Sequence, residues 1–342
     1  MKLEKPVEIS NSILKVAHRC LKEFDYKYRE QWNAKGKNHA LERGTAVHKF
    51  LEEYYTTGDW GKAEQALRRK YPDPEKHGEF FEIADLADGM MDHYVDYYGE
   101  EDIKVIGTEM KFKVPGTTDD WLLKGTVDML FEQDGILHGR DHKTGRIPDS
   151  IVRLMDSQLF IYPILTEYND IDIEIWDYNY LAAKLPRRPA ELKSGGLSKA
   201  KNIRTTHTVY LDTLREYGED PSDYTEILEF LETKPNTFFA REQVNRPTRI
   251  SEQLYLEAGA TVELLIALDN ESTDEPNDPY WPRNMAGYNC QRCEYLQLCI
   301  TDLHGGDRDQ VINDQYEFRD DQYGYGGDSE EENIEDEDII QF

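Results

Sequence analysis

Apolar residues recur at helical spacing near the start of the chain. Ile13, Leu14, Ala17, Leu21 and Phe24 share one side of a helix over 10–34, which Ser10 or Ser12 can cap. The same reading predicts helices over 43–57 and 77–98. The pattern then changes. Residues 103–114, 121–132, 136–143 and 173–183 read as strands, with a helix at about 151–168 between the last two. A polar, basic connection follows at 184–206, and helices are expected again over 207–217, 222–233 and 249–269. Pro276, Pro279 and Pro282 mark 270–289 as an extended loop. From Asp307 onward apolar residues are sparse and acids dense, the composition of a disordered tail. The plan is α/β: a small mixed sheet flanked by helices, with helical material before and after it.

The centre of the sheet carries the first chemical signal. Asp134-Gly135 separates two apolar-rich runs and predicts a two-residue hairpin turn. In that register Asp128 faces Asp141, with Cβ atoms ~5 Å apart. Lys143, two residues beyond Asp141, leaves the same face. Facing carboxylates repel unless a cation or proton lies between them. Two carboxylates and an ammonium suit metal-assisted phosphodiester hydrolysis: Mg²⁺ or Mn²⁺ on hard oxygens, with the Lys beside the attacking water or the developing charge. The plainer alternative is a surface strand of alternating, solvated charges.

Charge sharpens the question. The 342 residues hold 40 Lys+Arg against 69 Asp+Glu, a net charge of −29. That argues against a general nucleic-acid coat protein, allows a nuclease, and demands a local basic surface if DNA is the substrate. Segment 181–206 supplies one: Lys184, Arg187, Arg188, Lys193, Lys199, Lys201 and Arg204 against the single acid Glu191, with Gly195-Gly196 for mobility. It reads as a phosphate-tracking loop, or else as an ordinary solvated one. Arg241, Arg246 and Arg249 make a smaller patch with a weaker case.

Every cysteine fits one site. Cys290, Cys293 and Cys299 stand in C-x₂-C-x₅-C spacing, and Cys20 lies far upstream. Four thiolates can hold Zn²⁺ or an iron–sulfur cluster, and spacing does not choose between them.

The order of motifs resembles the RecB-like, iron–sulfur branch of the PD-(D/E)XK nuclease superfamily, including CRISPR-associated and AddB-like exonucleases. RGTAVH resembles the helix motif that delivers a metal-ligand histidine, His48. KGTVDML resembles the motif giving Asp128, although Val127 stands where many members have Pro. DHKTG resembles the (D/E)-x-K motif of Asp141 and Lys143, with the His142 carbonyl as a further metal ligand. QLFIY resembles the Q-x-x-x-Y motif: Gln158 assists catalysis, and Tyr162 stands near DNA. Glu109, in GTEMKF, matches an acidic position behind the ligands. SNSILKVAHRCLKEFDYKY resembles the N-terminal segment of the group, in which one early and three late cysteines hold a [4Fe–4S] cluster. The resemblance implies a restriction-endonuclease-like core at about 103–183 within a nuclease domain at 1–306. The cluster would join the N- and C-terminal helical parts.

The implied activity is metal-dependent exonucleolytic hydrolysis of single-stranded DNA or DNA ends in replication, recombination or degradation. The basic segment also resembles one common in phage-borne nucleases of this type. The competing expectations are a non-catalytic DNA-binding scaffold with the same fold and cluster, and a redox iron–sulfur protein. No G-x-x-x-x-G-K-[ST] is present, so no ATP motor is expected. The start lacks the apolar run of a signal peptide and the longest apolar stretch, 159–165, is too short for a bilayer, so a cytoplasmic protein is expected, in host cytoplasm if phage-encoded. Residues 307–342 carry 14 acids and 2 Arg and end in EDEDIIQF. That end resembles the tip of single-strand-binding proteins that recruits replication partners. A solubilising tail is the plainer reading.

Overall fold

A computed structural model describes residues 3–36, 39–70, 79–146, 155–244, 248–273 and 278–319. The elements in chain order are β1 (Val7–Ile9), α1 (Asn11–Arg19), α2 (Leu21–Phe24), β2 (Trp32–Ala34), α3 (His39–Thr57), α4 (Trp60–Lys70), α5 (Glu79–Tyr98), β3 (Lys104–Pro115), β4 (Trp121–Gln133), β5 (Ile136–Thr144), α6 (Gln158–Glu167), β6 (Ile175–Leu181), α7 (His207–Tyr217), α8 (Thr225–Thr233), β7 (Phe239–Val244), α9 (Thr248–Glu271), α10 (Gly287–Cys290), α11 (Leu296–His304), α12 (Arg308–Gln315) and β8 (Tyr316–Phe318). They fall into two compact units. No helix among the described residues is long and apolar enough to cross a membrane.

The larger unit spans Lys37–Thr117 and Leu122–Gly259. Its sheet is mixed, as the sequence predicts. β3, β4 and β5 run antiparallel in succession, β6 is parallel to β5, and β7 is antiparallel to β6. The β4–β5 turn follows from its residues: Asp134 (φ 53°) and Gly135 (φ 77°) both take positive φ, as a type I′ hairpin requires. A parallel neighbour needs a crossover, and α6 provides it between β5 and β6. Val47, Phe50 and Leu51 of α3, Met90, Met91 and Tyr94 of α5, and Met129 and Phe131 of β4 share one buried core. α6 packs closely enough on the sheet to demand glycine: a Cβ at Gly125 would lie 2.5 Å from Leu165 Cδ1. Within the sheet, a Cβ at Gly139 would lie 2.4 Å from the ring of Trp176, its ladder partner on β6. A satellite core of Leu197, Tyr210, Leu214, Tyr224, Ile227 and Leu231 forms around α7 and α8.

The smaller unit takes in the described residues of Met1–Gly36, Thr118–Trp121 and Ala260–Phe342. The single helix expected over 10–34 is broken here. α1 ends at Cys20, whose extended backbone (φ −164°, ψ 119°) also starts α2; a π-helical turn, Asp25–Arg29, and the strand β2 follow. At the break Lys22 N–H bonds the Pro282 carbonyl instead of continuing α1. Beyond it Lys22 and Arg29, each almost wholly buried, both pair with Asp25.

Three sequence expectations change. α4 and β7 were not expected; α4 buries mainly alanines, and FAREQV is too polar for an apolar-run reading. The tail does not begin at 307: α12 follows directly, and β8 pairs antiparallel with β2 through Trp32↔Phe318. Tyr316, stacked on Tyr295, anchors that strand. The rest of the expected tail, 320–342, lies outside the described residues, as does 151–154 of the expected helix.

Candidate metal centre

The β4–β5 ladder runs in the predicted register through Met129↔Arg140. One step further stand Asp128 and Asp141. There a side chain joins the strands: Asp128 Oδ2 accepts the His142 backbone N–H at 2.6 Å. On the other edge of β4 the pairs Thr108↔Met129 and Met110↔Val127 place Glu109 opposite Asp128. Glu109 has φ 47°, a left-handed conformation that costs a residue with a Cβ about 1–3 kcal/mol. α3 brings His48 to the same place, where its Nδ1 lies 3.5 Å from Glu109 Oε1 and 3.7 Å from Asp128 Oδ2. His48 Nε2 donates to the His142 carbonyl at 2.9 Å. Ligating atoms of His48, Glu109 and Asp128 all lie within 4.8 Å of one another.

Asp141, also an expected ligand, lies beside that trio, outside its mutual 4.8 Å. It is fully buried and closes a ring with its neighbours on β5 and α6. Lys143 Nζ lies 2.7 Å from Asp141 Oδ2 and donates to Gln158 Oε1 at 2.7 Å. Gln158 Nε2 donates to the Tyr162 hydroxyl, which donates to Asp141 Oδ1 at 2.9 Å. The i, i+4 spacing of Gln158 and Tyr162 on α6 lets both reach the ring. Tyr162, expected near DNA, is 2% exposed here, and its hydroxyl holds Asp141. Asp141 Oδ2 is buried, with the Lys143 ammonium as its close partner.

Electrostatics follow from this crowding. Burial opposes charge on His48, but Asp128 and Glu109 outweigh it and raise its pKa to about 9. Burial, with Asp141 and Glu109, pushes Asp128 up to about 7 against the pull of His48. Lys143 is also held above its usual value: burial opposes its charge, but Asp141 and Asp128 prevail. It is thus an ammonium at neutral pH. Burial and the surrounding cations hold His142 well below its usual value, so its ring is neutral.

An imidazole, two carboxylates and a carbonyl, with the Asp141 carboxylate beside them, form a donor set for a hard divalent cation. Binding must displace protons from His48 and Asp128. Mn²⁺ affinity should therefore rise with pH, by about tenfold per unit between pH 7 and 9. Calorimetric titration across that range, in buffers of different ionisation enthalpy, would read the protons released. A flat profile would contradict the site.

The sequence alone marked Glu109 only as a supporting position. Its acidity was visible, but the twist that aims it at Asp128 was not. The expected basic loop is ordered and partly neutralised. Leu192 N–H and Gly195 N–H close a tight turn, with Gly195 and Gly196 at positive φ. Arg188 pairs with Glu216 and Lys201 with Glu226, Lys199 lies over the Tyr224 ring, and Lys184 lies over Phe238. Arg187, Lys193 and Arg204 stay exposed. Arg241 is no surface patch: it bonds Glu101, Tyr94 and Asn179. Arg246 lies outside the described residues.

In the smaller unit Cys20, Cys290, Cys293 and Cys299 are unbridged and line one pocket with Tyr26, Arg283 and Asn284. No three of the four sulfurs come within 4.8 Å of one another. Asn284 N–H points at Cys20 Sγ (3.4 Å), and Arg283 Nε donates to Cys299 Sγ (3.2 Å). Burial raises the Cys293 thiol to about 12.

Comparison with known proteins adds three findings. No curated protein matches the sequence. A solved structure described as "Crystal structure of SSO0001" aligns over 84% of this chain and 96% of its own, at 12% identity and a TM-score of 0.30. Residues 8–300 match the family described as the PD-(D/E)XK nuclease superfamily, and they carry the mixed sheet and the His48, Glu109, Asp128, Asp141 and Lys143 cluster. The chain belongs to the PD-(D/E)XK nuclease superfamily.

Proposed function

We propose that this protein is a metal-dependent DNA exonuclease of the RecB-like type, acting on single strands or duplex ends. The observation that carries the reading is the convergence of His48, Glu109 and Asp128 beside the Asp141–Lys143 pair. His48, Glu109, Asp128, Asp141 and the His142 carbonyl would hold Mg²⁺ or Mn²⁺. Such an ion, when bound, supplies an activated water and neutralises charge on the scissile phosphate. The chain's own groups do the rest. Lys143 remains charged and stabilises negative charge as it develops on the phosphate. Gln158 keeps the ammonium in place, and Tyr162 orients Asp141. Arg187, Lys193 and Arg204 offer exposed cations to the DNA backbone, so affinity should fall steeply with salt.

In the same reading the four cysteines hold a [4Fe–4S] cluster of structural role. The pocket that all four cysteines line, with N–H groups aimed at two sulfurs, suits thiolates held on one metal group, and the resemblance favours iron over zinc. The acidic C-terminal end would recruit a replication or recombination protein. A phage origin would fit the basic segment's likeness to phage-borne nucleases.

The test combines two measurements on protein purified without air. End-labelled linear and circular single-stranded DNA are incubated with Mn²⁺, and a visible absorption spectrum is recorded. Digestion of the linear form alone, by coloured protein, is the expected result. Colourless, zinc-containing protein would replace the cluster by zinc. Bound but uncut DNA would support a non-catalytic scaffold.

A further inference from the structure

Three strands place Arg241, Asn179 and His142 in one row. Asn179 is the ladder partner of His142 across β5 and β6, and of Arg241 across β6 and β7. Ladder partners project from the same face of a sheet. Arg241 Nε donates to Asn179 Oδ1 at 3.3 Å. A guanidinium only donates, so this contact fixes which end of the amide is oxygen. Asn179 Nδ2 then donates to the Tyr94 hydroxyl at 3.0 Å and to His142 Nδ1 at 2.8 Å. His142 Nδ1 must accept, and the ring proton sits on Nε2.

The row is itself anchored. Arg241 reaches Glu101 Oε2 at 2.9 Å, Tyr94 at 2.6 Å and Tyr55 at 3.2 Å, and lies 3.7 Å from the Tyr98 ring centre. Arg140 also bonds Glu101, so two guanidiniums share that carboxylate. Tyr55 stacks on the His142 ring at 6.1 Å and 11°. The His142 backbone carries the connection to the metal residues. Its N–H bonds Asp128, and its carbonyl accepts from His48. A ring held on β6 limits how far that stretch of β5 can shift between the two residues.

We propose that Arg241 and Asn179 are positioning residues: they hold the His142 ring as its Nε2–H tautomer and so steady the His142 backbone, whose N–H and carbonyl align Asp128 and His48. The proposal rests on the metal-centre reading above. Groups behind metal ligands of this kind are typically worth about 10–100-fold in metal affinity.

The test uses the full chain. Nitrogen-15 spectra of labelled histidines, with His142 assigned by comparison with His142→Gln, report the tautomer directly. Wild-type protein should show Nε2–H at His142; Nδ1–H would overturn the proposal without any variant at the row. Asn179→Ala and Arg241→Gln should weaken Mn²⁺ binding by about tenfold or more and lower kcat on linear single-stranded DNA, with KM for DNA within twofold. Loss of the single tautomer should accompany those changes. Mn²⁺ affinity and kcat within twofold of wild type in a folded variant would overturn the proposal alone. If Asn179→Ala does not fold, Arg241→Gln and the wild-type tautomer still decide. Wild-type protein that takes up no Mn²⁺ would overturn the underlying reading, and the proposal with it.

Discussion

Asp128→Asn should lower Mn²⁺-dependent DNA cleavage by about a thousandfold, or about 4 kcal/mol of transition-state stabilisation. The substitution is chosen to separate charge from shape. An amide oxygen can still accept the His142 N–H, so the join between β4 and β5 survives. What is lost is one of two carboxylates within 4.8 Å of His48. Stability gives an independent check. Asp128 has a folded pKa near 7, above the ordinary carboxylate value. Its proton therefore stabilises the fold at low pH, and that contribution disappears as pH rises through about 7. Asn resembles the protonated form at every pH. The metal-free variant at pH 8 should unfold no lower than wild type while cleaving almost nothing. Cleavage within tenfold of wild type would remove Asp128 from the metal centre; a collapsed melting temperature would recast it as structural.

Cys20→Ser should have the largest effect on stability. If four thiolates hold one metal group, its binding free energy is part of the folding free energy. Cys20 sits at the break between α1 and α2, and its three proposed partners belong to α10, α11 and the turn between them. Removing one ligand should bleach the visible absorption and lower the melting temperature by roughly 10 °C, the change expected for several kcal/mol in a domain of this size. The buried Lys22–Asp25–Arg29 cluster would remain, so the smaller unit should loosen without losing its helices. Retained colour and an unchanged transition would show that Cys20 is not a ligand.

Much of this was legible before any coordinates. Asp134-Gly135 sets the hairpin register because positive φ at both positions leaves a two-residue turn as the low-strain solution. Gln158 and Tyr162 could be paired from their spacing, because residues four apart on a helix are neighbours. Tyr162 shows the limit of that reasoning. Spacing places it on the right face, but only the packing of α6 over Gly125 decides that the hydroxyl meets Asp141 and not solvent. The basic segment shows it again. Its cations are plain in the sequence, yet Glu216 and Glu226, which neutralise two of them, lie on separate helices beyond it.

The sequence by itself determined the local and periodic features: the central strands, the hairpin and its register, the Asp128, Asp141 and Lys143 set, and four cysteines enough for one site. These depend on backbone propensities and on intervals of two or four residues, which the chain carries wherever it folds. Only the tertiary structure decided which carboxylates meet His48, that Asp141 belongs to a ring with Lys143, Gln158 and Tyr162, and that Arg241 reaches His142 through Asn179. Those contacts join residues about 15 to 80 positions apart, and a left-handed Glu109 and a parallel β5–β6 crossover bring them together. No short-range rule specifies such juxtapositions, because they depend on how whole elements pack.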